Sequence, residues 1–263
     1  MLSRRAFLIA CAAVGVVPRL ACAERVPYST PYHVNISLVF GLFQFGMTGV
    51  LDQEVDAAAG TYRVQLAGEG AGVQNHFESA GFLRKGRFTP ASTVINFVLR
   101  GRPHQTRITY DHERRLVHYD HRSETFFLGH VRSGRNSFAM PADAPVDDFG
   151  SVMLNFGAGV FETPGAIYRT LVVRRAHRPG EGVDEVQADG ARGELVPLAM
   201  SFTRTGDGQG SVARIDLSEL STWAKPSDPL QFTFAGDRRI ERVDARLILG
   251  TTVRVVFGQS SVR

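Results

Sequence analysis

The sequence predicts a mainly β protein, an antiparallel β-barrel or strongly curved half-barrel of about a dozen strands with one short amphipathic helix. Two observations support this fold class. Apolar residues recur with a period of two along most of the chain, the pattern of strands with one buried face. Turn-forming glycine and aspartate residues separate these runs at short intervals, as they do in antiparallel hairpins.

The first half of the chain carries several strand patterns. Apolar residues alternate over 34–40, and the alternation shifts its phase after Gly41, which indicates a bulge or a tight bend. The pattern continues over 62–66. Residues 93–99 are apolar on both faces, so this strand is expected to be central in the sheet. A hairpin is predicted to turn at residues 111–114.

One segment has the periodicity of a helix instead. Its apolar residues recur at helical spacing: Phe149, Val152, Met153, Phe156 and Val160. Asp147 or Asp148 stands where a side chain caps the first turn, and Pro164 follows the last apolar residues. We therefore expect a short amphipathic helix over residues 147–162, laid against the sheet.

Strand patterns resume after the helix. The further strands are predicted at 167–173, 195–203, 212–217 and 230–234, with a terminal hairpin over 243–257. A polar, glycine-rich stretch runs from His177 to Gly193. It is expected to be either a long hairpin connection or an exposed pair of edge strands.

The first 23 residues resemble a twin-arginine export signal. A paired arginine at positions 4–5 follows a serine, and the apolar stretch over 6–17 is too short to span a bilayer as a helix. Residues 21–23, Ala-Cys-Ala, have the small-x-small pattern that a signal peptidase cleaves. We expect cleavage after Ala23 and a periplasmic location in the bacterial cell envelope. The alternatives are an uncleaved anchor or buried helix, or a lipoprotein acylated at Cys22.

Removal of the signal changes both the charge and the cysteine content. The full chain has 30 basic and 26 acidic residues, a net charge of +4; without the three arginines of residues 1–23 the net charge is +1. A near-neutral chain gives no electrostatic reason to expect nucleic acid as a partner. Both cysteines, Cys11 and Cys22, also leave with the signal. This excludes disulfide and cysteine chemistry from the mature protein.

Beyond the signal, we predict a short extended leader over residues 24–31 and one β-rich domain over 32–258. A chain of this length can bury one large core. Two packed halves, about 32–140 and 165–258, joined by the helix over 147–162, are the alternative arrangement. No apolar run in the mature chain approaches membrane-spanning length, so no span is expected after cleavage.

The closing segment combines a strand, a charged turn and a hairpin strand with a central glycine. It comprises Leu230 to Ile240, then Arg242, Ala245 and Gly250. Earlier in the chain stand aromatic and glycine motifs: Tyr32-x-Val34, Phe40-Gly41, Phe45-Gly46, Gly49, Tyr62-x-Val64, Gly86-x-Phe88-Thr89-Pro90 and Asp147-Asp148-Phe149-Gly150-Ser151.

Together these segments resemble an exported bacterial family, domain of unknown function 3108 (DUF3108), from about Tyr32 to Phe257. Glu241 stands where the family commonly has proline, and the stretch from His177 to Gly193 is longer here. The resemblance implies an exported β-barrel-like domain. It implies no activity that can be assigned to particular residues.

The densest polar cluster lies between residues 110 and 124, and it holds three of the eight histidines. Imidazoles and carboxylates are metal ligands, so a metal-dependent hydrolase using the region from His112 to His130 is one hypothesis. His118 and His121 are its candidate ligands, but a spacing of three places them on opposite faces of a regular strand. A solvated hairpin with charges paired across strands is the favoured interpretation, and no metal site is predicted.

No other motif assembles a catalytic site. Residues 68–72, Gly-Glu-Gly-Ala-Gly, lack the following helix that a phosphate-binding loop needs, so a bulge or barrel corner is expected. There is no Gly-x-Ser-x-Gly motif, and Asp148 is better explained as a helix cap than as a general base. The sequence therefore predicts no catalytic residue, no cofactor and no enzyme activity.

The remaining signal is the 18 phenylalanines. In a barrel such side chains either fill the interior or line a cavity for an apolar ligand. The leading hypothesis is a protein that binds or carries a lipid or another apolar or amphipathic small molecule, with the helix as plug or lid. Its predicted ligand-binding residues are Phe97, Phe149, Met153 and Phe156. The alternative is a structural or interaction module of the cell envelope with a protein partner.

Overall fold

The computed structural model describes residues 26–160, 167–182, 184–187, 190–205, 209–221, 224 and 228–258. These residues form fifteen strands, helix α1 (Phe149–Gly157) and a 3-10 helix (Ile248–Gly250). The strands are β1 (Val26–Leu38), β2 (Phe43–Asp56), β3 (Thr61–Gly70), β4 (Val73–Arg84), β5 (Arg87–Leu99), β6 (Arg102–Asp111), β7 (Leu116–Glu124), β8 (Val131–Ala139), β9 (Val146–Asp147), β10 (Ile167–Arg175), β11 (Gly193–Arg204), β12 (Ser211–Ile215), β13 (Leu230–Phe234), β14 (Ile240–Arg246) and β15 (Thr252–Phe257). The predicted signal peptide, residues 1–23, lies outside the described residues.

The fifteen strands belong to one sheet, in the order β8-β7-β6-β5-β4-β3-β2-β1-β15-β14-β13-β12-β11-β10-β9. The described pairings are antiparallel except that of β9 with β10. The ladder is not closed, but the sheet is curved so strongly that β8 approaches the start of β11. There the Asn136 Nδ2 donates to the Gly193 carbonyl at 2.9 Å, and the Gly193 N–H donates to Asn136 Oδ1 at 2.7 Å. The predicted mainly β fold with a strongly curved antiparallel sheet is confirmed.

Strand β1 begins earlier than the sequence suggested. Residues 26–31 of the predicted leader are paired with β2, starting with Val26 opposite Val55. The partner on the other side, β15, pairs only from Tyr32 to Ser37. Pro27 and Pro31 therefore lie where β1 has a ladder on one side only, the position in which a strand tolerates residues without an N–H.

The two predicted halves of the domain meet within this sheet. Strands from residues 32–140 and from residues 165–258 are joined by the pairing of β1 with β15. Helix α1 packs between them: Leu154 lies in the core formed mainly by β1–β5, and Val152 lies in the core formed by β11–β13. The sheet and the helix together make the link between the halves.

Helix α1 is shorter than the predicted span of 147–162. Asp147 belongs to β9, and Asp148 is the N-cap, with its side chain accepting from the Ser151 N–H in a capping box. At the other end Gly159 has a φ of +76°, which ends the helical conformation. The prediction of an aspartate cap is confirmed, and Asp148 is that residue. Residues 161 and 162 lie outside the described part of the chain.

None of the helices in the described residues is long and apolar enough to cross a membrane.

Candidate functional site

A cavity of about 410 Å³ lies between two arms of the curved sheet. Side chains of β5–β8 line one wall, and side chains of β10–β13 line the opposite wall. Residues of β9 and α1 reach into the space between the two walls. The cavity is the space inside the curved sheet that helix α1 leaves unfilled.

Helix α1 presents apolar side chains to this cavity. Phe149, Met153 and Phe156, three of the four predicted ligand-binding residues, line it. Phe156 stacks on Phe234 and Phe202, with ring centroids 3.9 Å and 5.0 Å apart. This end of the cavity is a continuous aromatic surface.

Phe97, the fourth predicted residue, has a different position. It lies on β5 and packs against the core cluster formed mainly by β1–β5. Residues Thr93 and Ile95 of the same strand line the cavity, whereas Phe97 is not among its lining residues. The sequence pattern of β5, apolar on both faces, does not distinguish a side chain that lines a cavity from one that packs in a filled core.

Two buried carboxylates lie at the start of the helix. Asp147 is fully buried and is paired with the Arg87 guanidinium. It also accepts hydrogen bonds from the Tyr168 hydroxyl at 2.8 Å and from Ser151 Oγ at 3.1 Å. Because its oxygens are already occupied by these donors, Asp147 holds β5, β10 and α1 together.

Asp148 is also buried. It accepts from Thr93 Oγ1 at 2.5 Å and from the Ser151 N–H at 2.8 Å. Burial raises the pKa of the Asp148 carboxyl, and the hydrogen bonds from Ser151 and Thr93 oppose that rise. Burial also raises the pKa of the Tyr110 hydroxyl, which lies 3.5 Å from Thr93 Oγ1. This arrangement positions the helix and one wall of the cavity.

A histidine pair lines the opposite part of the cavity. The rings of His104 and His121 are 4.8 Å apart, and Thr106 Oγ1 is hydrogen-bonded to both, at 3.2 Å and 2.8 Å. Burial, with the nearby charges of Arg175 and Arg132, lowers the pKa of His104 to about 4. Burial, His104 and the same two arginines lower the pKa of His121 to about 3. Both imidazoles are therefore neutral at physiological pH.

Three arginines line the cavity near this histidine pair. Arg175 donates to Glu181 Oε1 at 2.6 Å, and Arg132 lies 3.6 Å from the same oxygen. Arg174 pairs with Glu194 at 2.6 Å. The three arginines are among the residues that line the cavity and their acidic partners are not, although the Arg132 Nε also donates to the Glu185 carbonyl at 2.7 Å.

The hypothetical metal ligands do not converge. His121 is buried inside the sheet, while His118 is exposed and hydrogen-bonded to Ser137 Oγ at 2.7 Å on the other face of β7. The described residues contain no cluster of three or more histidine, cysteine or acidic side chains able to hold a metal ion.

A serine–histidine contact is present, but it is poorly suited to catalysis. Ser123 Oγ lies 2.9 Å from His121 Nε2, and Thr106 contacts the other ring nitrogen. A general base needs a pKa near the working pH and a nucleophile that faces the substrate. The pKa of His121 is lowered to about 3, and Ser123 is not a lining residue of the cavity. The contact is better explained as a hydrogen bond that gives a ring nitrogen of the buried His121 a partner.

Sequence reasoning missed the polar part of the cavity. Thr93, His104, Arg132 and Arg175 come from four different strands and carry no shared motif. One local signal was present: Thr93 interrupts an otherwise apolar strand, and inward-facing polar residues in such strands need a partner. The partner, Asp148, lies 55 residues later in the chain.

Comparison with known proteins identifies little beyond the architecture. No protein-family model matches the chain, and no curated protein matches it. Among solved structures, a β-barrel-like protein of domain of unknown function DUF1849 from Brucella abortus is similar to it. That similarity has 9% identity, covers 88% of this chain and 95% of the other, and has a TM-score of 0.40.

Proposed function

We propose that this chain is an exported, non-enzymatic binding protein that holds an apolar or amphipathic small molecule between the arms of its curved sheet. The observation that supports this most directly is the cavity of about 410 Å³, which falls in the size range of small-molecule sites. Its lining combines apolar and aromatic side chains with a smaller number of polar groups, as such sites usually do.

The proposal that the protein is not an enzyme rests on its polar groups. Asp147 is held by Arg87 and Tyr168, Asp148 caps a helix, and His121 is a weak base inside a hydroxyl network. None of these groups is poised to react with a molecule in the cavity.

Export to the periplasm and membership of the DUF3108 family belong to the same proposal. Export rests on the paired arginines, the short apolar stretch and the Ala-Cys-Ala site of residues 1–23. Family membership rests on the aromatic and glycine motifs between Tyr32 and Phe257. A mass spectrum of protein from a periplasmic extract tests the export proposal. A chain beginning at Glu24 is expected, and a chain that retains residues 1–23 would contradict export with cleavage.

Native mass spectrometry of protein purified without detergent tests the binding proposal. The wild type is expected to carry a bound small molecule. Ala213 is 1% exposed and lines the cavity, so Ala213→Leu should fill part of it and reduce the bound fraction. Ala199, on the neighbouring strand β11, faces outward, and Ala199→Leu is the matched control.

The fold of both variants is checked by circular dichroism, because an added side chain in a packed region costs about 1–3 kcal/mol of stability. Equal occupancy of the two folded variants, or a wild type that neither carries nor takes up any apolar molecule, would contradict the proposal.

A second candidate function is an interaction module that binds another protein of the cell envelope. Exposed apolar side chains at two hairpin turns favour it: Phe40 is 77% exposed, Leu42 75% and Leu128 64%. The two turns lie close together, since the ring centroids of Phe43 and Phe126 are 6.5 Å apart. Contiguous exposed apolar groups are typical of protein-binding surfaces.

Cross-linking in cells tests this candidate. A Phe40→Ser, Leu42→Ser variant should lose a partner that the wild type captures, while Val50→Ser, in the middle of β2, should retain it. A cross-linking pattern unchanged by the turn substitutions would argue against the interaction module.

A further inference from the structure

We infer that the ligand of this cavity is a single-chain amphiphile with an anionic head group, held with its head at Arg132, Arg175 and His104 and its chain along the aromatic surface of α1, β11 and β13. This inference rests on the proposed binding function and adds the chemical class of the ligand. It stands on the size of the cavity, the separation of its polar and apolar parts, and the sign of the charges that face it.

The size of the cavity limits the number of chains. If a methylene group occupies roughly the 30 Å³ that a water molecule has in the liquid, about 410 Å³ accommodates on the order of 14 such groups. One acyl or alkyl chain fits this space. A lipid with two long chains exceeds it about twofold, so the volume matches a single-chain ligand better than a diacyl phospholipid.

The polar and aromatic parts lie at opposite ends of the sheet. Arg175 is the last residue of β10 and is paired with Gly193, the first residue of β11. Phe202 lies near the other end of β11, so the arginine end and the aromatic surface follow each other along this strand. A molecule between these ends meets guanidinium groups at one end and phenyl rings at the other, which matches an amphiphile.

The charges facing the polar end are positive. Arg132 and Arg175 share one carboxylate, that of Glu181, and both arginines are lining residues of the cavity whereas Glu181 is not. Glu181, Asp184 and Glu185 all lie near Arg132 and together outnumber the two guanidinium charges, but none of the three lines the cavity, so the charged side chains in the lining at this end are arginines. The pKa values of His104 and His121 nevertheless fall in part because of Arg175 and Arg132, which indicates a positive potential inside the cavity.

Such a site favours a carboxylate or a phosphate monoester over a cationic or neutral head. Guanidinium groups bind both anions through paired hydrogen bonds, and a neutral imidazole supplies a further hydrogen-bonding group. The buried carboxylates elsewhere in the cavity do not create a competing cation site. Arg87 neutralises Asp147, and burial raises the pKa of Asp148.

Displacement of an uncharged fluorescent probe, N-phenyl-1-naphthylamine, tests the inference on the mature chain. The competitors are 14-carbon chains with a carboxylate, a phosphate monoester, an alcohol or a trimethylammonium head, and vesicles of phosphatidylglycerol. One charge-assisted pair contributes at least about 1.4 kcal/mol, so an anionic competitor is expected to bind roughly tenfold tighter than the alcohol. The order of the carboxylate and the phosphate identifies which anion the site prefers.

Arg175→Gln should remove most of that tenfold preference, because it weakens binding of the anionic compounds far more than binding of the alcohol. Arg135→Gln is the matched control, because Arg135 lies on β8 but is 80% exposed and pairs with Asp120 outside the cavity. Since loss of Arg175 leaves the Glu181 carboxylate without its closest basic partner, Glu181→Gln is the second variant. It removes the competing carboxylate and should tighten anion binding several-fold.

The outcomes separate this inference from the proposed function. Equal displacement by the carboxylate, alcohol and ammonium compounds would overturn the anionic head group and leave the binding function standing. Displacement by phosphatidylglycerol vesicles at the affinity of the single-chain compounds would overturn the single-chain limit. No probe binding, or no displacement by any compound, would overturn both.

Discussion

The side chain of Asn155 connects the helix to the sheet through a single amide. It is fully buried, accepts from the Phe88 N–H at 2.8 Å and donates to the Phe88 carbonyl at 2.9 Å. Asn155→Ala would leave both backbone groups without these partners in a buried place. We expect a loss of about 2–4 kcal/mol in the free energy of unfolding, measured by urea denaturation.

The matched control is Asn96→Ala, in the same strand as Phe88 but exposed. It should change the stability by less than about 0.5 kcal/mol. Equal effects of the two substitutions would show that the Asn155 amide does not secure the helix.

The buried histidines predict a stability that falls in acid. A histidine with an unfolded pKa near 6.5 and a folded pKa of about 3 or 4 binds more protons in the unfolded state between those values. Stability therefore decreases as the pH falls from 6.5 towards 4. Between pH 6.5 and pH 5 this amounts to roughly 2 kcal/mol for each histidine, measured as unfolding free energy.

His121→Gln should reduce this pH dependence, and His118→Gln, on the outer face of the same strand, should leave it unchanged. Asp148 acts in the opposite sense, because its folded pKa is raised and protonation stabilises the folded state. Its contribution is common to all three proteins and cancels in the comparison. If the unfolding free energy of wild type and of His121→Gln depended on pH in the same way, the loss of stability in acid could not be assigned to His121.

At the scale of the elements, helix α1 is held against the sheet by close packing of its backbone on β4 as well as by burial of its apolar side chains. A Cβ added to Gly150 would lie 2.5 Å from Ser79 Cβ on β4, whereas a Cβ on Gly157 would meet nothing within 4 Å. Gly150→Ala is therefore expected to destabilise the protein by about 1–3 kcal/mol despite its better helix propensity. Gly157→Ala should stabilise it by up to about 1 kcal/mol.

Thermal unfolding of the two variants measures this pair of effects. Stabilisation by both substitutions would mean that the helix can move away from β4 without cost.

The elements differ in how well the sequence indicates them. Helix α1 can be predicted from the sequence because the spacing of its apolar residues and the Asp148 cap are both local signals. Strand β8 is not, because its residues alternate only between exposed and half-buried and include few apolar side chains. Its place is fixed by pairing with β7 over nine residues, a contact between neighbouring segments that hydropathy does not report. Strands β4 and β9 were missed as well, so the predicted dozen strands became fifteen.

At the scale of the whole molecule, the hydrogen bonds between β8 and the start of β11 determine how stably the curved sheet encloses the cavity. Besides the paired bonds of Asn136 with Gly193, the Ala191 N–H donates to the Ser133 carbonyl at 3.0 Å. Asn136→Ala would remove two of these three bonds. We expect faster hydrogen exchange at Gly193 and Ala191, measured by mass spectrometry, with the central strands β3 and β4 unchanged.

Ser137→Ala, at the next position on β8, faces the other side and is the control. Exchange that rises equally throughout the sheet would indicate general destabilisation instead of local opening.

The site was only partly predictable from sequence. Phe149, Met153 and Phe156 could be selected because a helix inside a β sheet has few alternatives to facing the interior. Arg132, Arg175 and His104 could not, because their proximity depends on how far the sheet curls. Curvature accumulates from small twists along fifteen strands, and no single residue encodes it.

The pairing of β1 with β15 has a consequence for how the chain is made. Tyr32 to Ser37 pair with residues 252–257, which are synthesised more than 200 residues later, whereas the hairpins between them form from neighbouring segments. Until β15 has been synthesised, this stretch of β1 has an unpaired edge bearing Val34 and Ile36. Unpaired apolar edges promote aggregation, so premature termination before residue 252 should yield insoluble fragments. Completion of β15 thus decides whether this edge of β1 is paired inside the sheet or is free to aggregate.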